Sequence, residues 1–233
     1  MRNRDHRKGI SLALQTNLYF IRHGEGMTNI SNRILDQCVG SGLTPRGVQQ
    51  VQQLHERLRI TDEIHADAVV TSSFQRALET AQLLAPLWLA PIVVDNDLQE
   101  LRYGEDDMLY ADFHAHYGSF NVRDQPERQK SPRGESWQQF AARATGAIDR
   151  IRETYAGQRV VLVTHGGVIR ALFYRVLRLD LSRADWGHSR LEYTSITHWC
   201  HEQTDTSARW SLLCWNDAAH LYFIRLAPPS VWP

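Results

Sequence analysis

Apolar residues along this chain fall into short runs, and between the runs they recur at helical spacing. The runs predict strands over 17–22, 67–71, 91–94 and 159–164. Leu18-Tyr19-Phe20-Ile21 has no alternation, which marks a strand buried on both faces. Helical stripes predict helices over 45–59, 74–86, 136–155 and 167–178. The clearest stripe is Trp137, Phe140, Ala141, Ala144, Ile148 and Ile151. Another is Phe74, Ala77, Leu78, Ala81 and Leu84, with Ser72 or Ser73 placed to cap it. Two later strands, 193–200 and 209–215, read as a hairpin, so one strand should run antiparallel. Alternating strands and helices imply an α/β fold, a three-layer α/β/α sandwich around a mostly parallel central sheet. One domain is expected over 17–225, with 104–133 over the mouth of a pocket and tails at 1–16 and 226–233.

Polar residues with chemical potential stand where these strands end. Arg22-His23-Gly24-Glu25 follows the first run directly. In open α/β sheets, ligands bind at the carboxyl ends of strands. Arginine offers a permanent forked cation, histidine a nucleophile that titrates near neutrality, and glycine lets an anion approach the backbone. Arg76 lies in the first turn of the helix after the second strand, close to the same sheet edge. Thr164-His165-Gly166-Gly167 repeats the pattern: an apolar strand runs into His-Gly and a helix follows. Glu100, in Asn96-Asp97-Leu98-Gln99-Glu100-Leu101-Arg102-Tyr103-Gly104, reads locally as an ordinary loop carboxylate.

In order and spacing these four segments resemble the histidine phosphatase superfamily, which includes the cofactor-dependent phosphoglycerate mutases. The resemblance runs from about Asn17 to Leu221. It implies that His23 becomes phosphorylated and that Arg22 and Arg76 bind the phosphoryl group. It also implies that His165 is the second active-site histidine, that Asn29 contacts the phosphate and that Glu100 is the proton donor. Leu43-Thr44-Pro45-Arg46-Gly47 and Gly134-Glu135-Ser136 match two further landmarks. The chain departs from the family at Gly26, where a Thr or Ser is usual; the backbone amide there remains as a donor. Gln37 is offset from the family's Gln-Gly pair, so no role passes to it.

The implied chemistry is phosphoryl transfer, which needs positioning and charge neutralisation above all. His23 attacks in line through a neutral ring nitrogen whose tautomer is fixed through the other, with a backbone carbonyl as the expected partner. Arg22, Arg76 and a protonated or hydrogen-bonding His165 hold the phosphoryl oxygens. A dianionic phosphate beside Glu100 favours its acid form. No metal or other cofactor is expected, since arginines supply the positive charge. The short stretch from Glu100 to Gly134, and the ending Asn216-Asp217-Ala218-Ala219-His220-Leu221, resemble the broad-specificity phosphatase branch. The expected activity is therefore hydrolysis of a small-molecule phosphate ester. A mutase-type phosphotransferase and a non-catalytic phospho-ligand module are the alternatives. Asp217 and His220 are read as structural, and Glu25 as scaffold.

The segment 104–133 holds Tyr103, Met108, Tyr110, Phe113, Tyr117 and Phe120 at or near its start, then Arg123, Arg128, Lys130 and Arg133. It suits either a grip on an aromatic or anionic leaving group or a helix packed on the domain with a solvated loop. His114 and His116, and likewise His198, Cys200 and His201, lack metal-ligand spacing.

With 26 basic and 26 acidic residues among 233, the chain has zero formal charge. No nucleic-acid or membrane partner is expected from that balance. The basic N-terminus, with Arg2, Arg4, Arg7 and Lys8, precedes an apolar stretch too short for a signal peptide. Three cysteines, Cys38, Cys200 and Cys214, suit a reducing cytoplasm. Cys200 and Cys214 would face each other if their strands paired, without an expected disulfide. Monomer and homodimer both remain open.

Overall fold

The computed structural model describes residues 13–35, 42–121, 124–179 and 190–223. The expectations about Gln37, Cys38, Arg123 and the two tails lie wholly or mostly outside these residues. Six strands form the main sheet: β1 (Leu14–Arg22), β3 (Ala68–Ser72), β4 (Ile92–Asp95), β6 (Arg159–Thr164), β7 (Ile196–Gln203) and β8 (Ala208–Asp217). Their order is β4-β3-β6-β1-β7-β8. The first four are mutually parallel; β7 runs antiparallel to β1 and β8 antiparallel to β7. The hairpin and the single reversed strand are as the sequence predicts. β1 begins at Leu14, three residues before the start predicted at 17, because ladder bonds to β7 extend it over polar residues.

The unbroken apolar runs are explained by helices on both faces. Leu18, Phe20, Val160 and Leu162 face one core, with α5 (Trp137–Thr154) and α6 (Gly166–Val176). Ile21, Val161 and Val163 face the other, with α2 (Pro45–Thr61) and α3 (Gln75–Leu84). Successive residues of one strand thus enter opposite cores. Burying each such side chain contributes roughly 1.5–3 kcal/mol. Thr44 caps α2 through its side chain and Pro45 occupies the first turn. Ser136 and Gln139 cap α5 reciprocally. Neither Ser72 nor Ser73 caps α3. Its N-cap is Phe74, without a side-chain bond; the Ser72 hydroxyl accepts from the Phe74 amide at 3.3 Å and from His165 at 2.8 Å.

Two short helices, α1 (Met27–Ile30) and α4 (Tyr110–Tyr117), flank a second, two-stranded sheet that the sequence did not suggest. It pairs β2 (Arg33–Leu35) with β5 (Asp106–Leu109). Arg33 fastens it through Asp107, Nε to Oδ1 at 2.6 Å. Phe113 buries the inner face of α4. The β7–β8 register sets Cys214 opposite His198 and Cys200 opposite Ser211, so the two thiols do not face each other. Both are free. Among the described residues no helix is long and apolar enough to cross a membrane.

The last described element is α7 (His220–Phe223), and beside it the structural readings of Asp217 and His220 take form. Asp217 accepts from Arg57 at 2.6 Å and from the amide of Ala219 at 2.9 Å. His220 is 2 % exposed, with Nε2 2.8 Å from the Thr194 hydroxyl. Burial, with Arg57 nearby, lowers its pKa from 6.5 to about 4. In the unfolded chain the imidazole takes a proton near 6.5, whereas the fold holds it neutral. The stabilisation is therefore complete above pH 6.5 and is lost as pH falls towards 4. Thermal or urea unfolding at pH 7 and pH 4 should show a loss of about 3 kcal/mol from this group. His220→Asn should flatten that part of the profile.

Candidate active site

At the carboxyl ends of β1, β3 and β6, four residues that lie far apart in the sequence meet. His23 follows β1 and is 2 % exposed. Its Nδ1 lies 2.6 Å from the carbonyl of Gly24. A carbonyl only accepts, so Nδ1 carries the proton and Nε2 carries the lone pair. Arg76 Nε–H donates to that lone pair at 3.1 Å. The backbone carbonyl partner expected for His23 is thus the one next to it in sequence.

Arg76, on the first turn of α3, is 7 % exposed. Its Nη2 also reaches Nδ1 of His165 at 3.1 Å. Guanidinium nitrogens only donate, so His165 Nδ1 accepts and its Nε2–H donates to Ser72 Oγ at 2.8 Å. Of the two roles left open for His165, the neutral hydrogen-bonding one fits this geometry. Burial, with Arg76 beside it, pushes both imidazoles well below their ordinary 6.5. The two rings stand 4.9 Å apart, edge to face.

Arg22, the last residue of β1, stacks over the ring of Tyr193 at 4.0 Å and donates from Nη1 to the carbonyl of Leu191. Its Nε is buried without a partner among the described residues. Asn29 turns its Oδ1 onto the amide of Gly26 at 2.9 Å. The Gly26 amide is thus engaged by Asn29. A β-carbon at Gly26 would stand 2.8 Å from Cδ of Arg76, so glycine here lets the arginine pass.

Glu100 stands across the cavity at the start of α6. Its Oε2 accepts from the amide of Gly167 at 2.8 Å and its Oε1 from the amide of Leu101 at 3.0 Å. A β-carbon at Gly167 would overlap the carboxylate, which is why the second glycine after His165 is needed. Arg143 of α5 clamps the loop behind Glu100. It binds Glu135 at 2.6 and 2.7 Å and the carbonyls of Asp97, Gln99 and Glu100. The Gly134-Glu135-Ser136 landmark is therefore a brace for the loop that carries Glu100. Glu25 is scaffold too: it accepts from Thr44 Oγ1 at 2.9 Å at the start of α2.

An inner cavity of about 160 Å³ is lined by Arg22, His23, Asn29, Arg76, Glu100 and Arg170, among others. It opens into one of about 300 Å³ that shares Asn29, Arg76, Glu100 and Arg170. Five of the six residues predicted from the sequence line the inner cavity; His165 stands behind Arg76. Arg170, on α6, was not singled out from the sequence. Among the described residues no group of three His, Cys, Asp or Glu side chains is placed to hold a metal.

A family model described as the histidine phosphatase superfamily, branch 1, matches residues 18–218. The chain belongs to this superfamily. A metal-independent phosphoserine phosphatase of Arabidopsis thaliana is 31% identical over 212 residues, 88% of this chain and 83% of that one. A probable phosphoglycerate mutase of Erwinia tasmaniensis is 30% identical over 208 residues, covering 88% of this chain and 94% of its own. Among solved structures, a mycobacterial glucosyl-3-phosphoglycerate phosphatase complexed with VO3 superposes with a TM-score of 0.68 at 26% identity. It covers 86% of this chain, and 98% of its own length is matched. The sequence resemblance to the superfamily, and the phosphoglycerate mutase-like fold it implied, hold.

Within this superfamily member, the Glu100 brace is open to a direct check. Gly167→Ala should displace the carboxylate and lower kcat for a phosphate ester by about 10²–10⁴-fold, the range of a lost general acid. KM should change little, since the arginine–histidine cluster is untouched. Steady-state kinetics on the folded variant, verified by circular dichroism, would decide it; an unchanged kcat would detach Glu100 from the chemistry.

Proposed function

We propose that this chain is a phosphomonoesterase that works through a phosphohistidine at His23 Nε2, with Glu100 as the proton donor. The observation that carries the proposal is the inner cavity itself. A nucleophilic lone pair lies there beside Arg76, and Arg22, whose buried Nε–H has no partner among the described residues, lines the same space. Two guanidinium groups around one cavity suit an anion with several oxygens.

The phosphate enters and takes over the guanidinium donors of Arg22 and Arg76, which frees the lone pair of His23. Asn29 and Arg170 border the same oxygens. His23 Nε2 then attacks phosphorus in line, and the bond to the leaving oxygen breaks as Glu100 hands that oxygen its proton. Water enters on the vacated side. Glu100 takes its proton, the P–N bond breaks and inorganic phosphate leaves. His165, neutral and donating to Ser72, keeps Arg76 aimed at phosphorus. The arginines supply the positive charge that a metal supplies in other phosphoryl-transfer sites. The relative named a metal-independent phosphoserine phosphatase supports that reading. We read the enzyme as cytoplasmic, as a monomer or a homodimer.

The test is a panel of small phosphate esters assayed with EDTA present. Phosphate release should persist in EDTA. His23→Ala should lower kcat at least about a thousandfold, as removal of a covalent nucleophile does. Labelled phosphate should be trapped on the wild-type chain after a rapid alkaline denaturing quench, and not on the variant. Full turnover by His23→Ala would end the proposal. Efficient isomerisation of 3-phosphoglycerate in the presence of its bisphosphate would move the assignment to a phosphotransferase.

A further inference from the structure

Beyond the phosphate, the outer cavity has a distinct chemical character. Phe74, Tyr103, Tyr110 and Trp137 line it, together with Leu101 and Ile34. The rings are braced against one another and against the core. Tyr103 packs edge-on to Tyr110 at 5.8 Å and to Phe113 at 5.4 Å. Trp137 packs on Phe140 at 5.2 Å, and Phe74 lies edge-on to His165 at 5.3 Å. These rings come from four separate elements, so the wall is a product of the fold and not of one apolar run.

The charges are divided between the two ends. Arg76 and Arg170 border the phosphate end, where the two cavities join. At the other end Arg33 is bound to Asp107 through both its side chain and its carbonyl, at 2.6 and 2.5 Å. Arg102 and Arg133, beyond Phe74, are bound to Gln99 and Glu105. Those three arginines are therefore held by protein acceptors, while Lys130 lies over the rings of Tyr103 and Phe120 at 5.7 and 4.6 Å.

Glu100, the proton donor, lines both cavities, and Leu101 and Tyr103 line the outer one. An alkoxide that receives its proton from Glu100 therefore has the ring-lined cavity beside it for its carbon skeleton. We infer that the preferred substrate is the phosphate ester of an alcohol bearing an uncharged aromatic ring, seated among Phe74, Tyr103, Tyr110 and Trp137. This rests on the phosphatase reading and narrows it. A cavity of about 300 Å³ stands at the lower edge of the range that encloses a drug-sized ligand. It leaves room for a ring beyond the phosphate.

The test compares three esters: 2-phenylethyl phosphate, n-butyl phosphate and phosphoserine. The first two have similar leaving oxygens, so the chemical step is matched. The ring ester should show kcat/KM at least about tenfold above both others, the value of burying one ring side chain's worth of apolar surface. Tyr110→Leu should lower kcat/KM for the ring ester about tenfold, mainly through KM, and for n-butyl phosphate by no more than about threefold. Equal or better turnover of n-butyl phosphate or phosphoserine by the wild type overturns the inference while leaving the phosphatase standing. Equal losses on both alkyl esters in Tyr110→Leu also overturn it. Hydrolysis of none of the three, with no phosphate trapped on His23, overturns the phosphatase reading and the inference with it.

Discussion

One guanidinium organises this site. Arg76 places Nε on the lone pair of His23 and Nη2 on the lone pair of His165. Because it can only donate, it dictates the tautomer of both rings at once. His23 must then carry its proton on Nδ1, where the Gly24 carbonyl takes it, and His165 on Nε2, where Ser72 takes it. Two buried imidazoles beside two arginines cannot readily become charged, and their lowered pKa values express that directly. The nucleophile is thus kept in its reactive form by the same residue that later holds the electrophile.

Arg76 in turn depends on how α3 is set against the loop after β1. The stripe read from the sequence puts Leu78 on the buried face, yet Leu78 is only half-buried and Thr80 is fully buried. The Thr80 hydroxyl donates to the Arg76 carbonyl at 2.8 Å and accepts from the Gly24 amide at 3.1 Å. One small polar residue therefore fixes the helix that carries Arg76 to the peptide whose carbonyl orients His23. A leucine at this position would have continued the apolar face and left the Gly24 amide without its acceptor. The helix trades a little apolar burial for registration of the site.

The sequence made some of this legible and hid the rest for a physical reason. Arg22, His23, Arg76 and His165 each sit beside a recognisable strand end, so local pattern was enough to bring them together. Glu100 had no such local mark and was found through resemblance alone, because its place depends on contacts across 67 residues to Gly167. Arg143 is the extreme case. On α5 it looks like any surface arginine, and its five acceptors lie on two loops that precede the helix. The second sheet was equally invisible, since β2 and β5 have three and four residues and lie some seventy positions apart. Short polar strands carry no apolar period to read.

The division of charge and rings across the cavity follows from the same construction. The phosphate end is built where strands terminate, so its donors point from backbone-anchored residues that the sheet holds still. The leaving-group end is built from loops, from α4 and from the start of α5, and is braced by aromatic packing and by ion pairs such as Arg33–Asp107 and Arg133–Glu105. Those rim pairs are exposed and contribute little to stability, about 0–1 kcal/mol each. Their larger effect is to withdraw cations from the pocket. An arginine tied to its own protein's carboxylate no longer attracts a second anion on the substrate, so the wall left to recognise the leaving group is the apolar one. Strand ends thus set the phosphate chemistry, and the rim, on our inference, sets which alcohol is released.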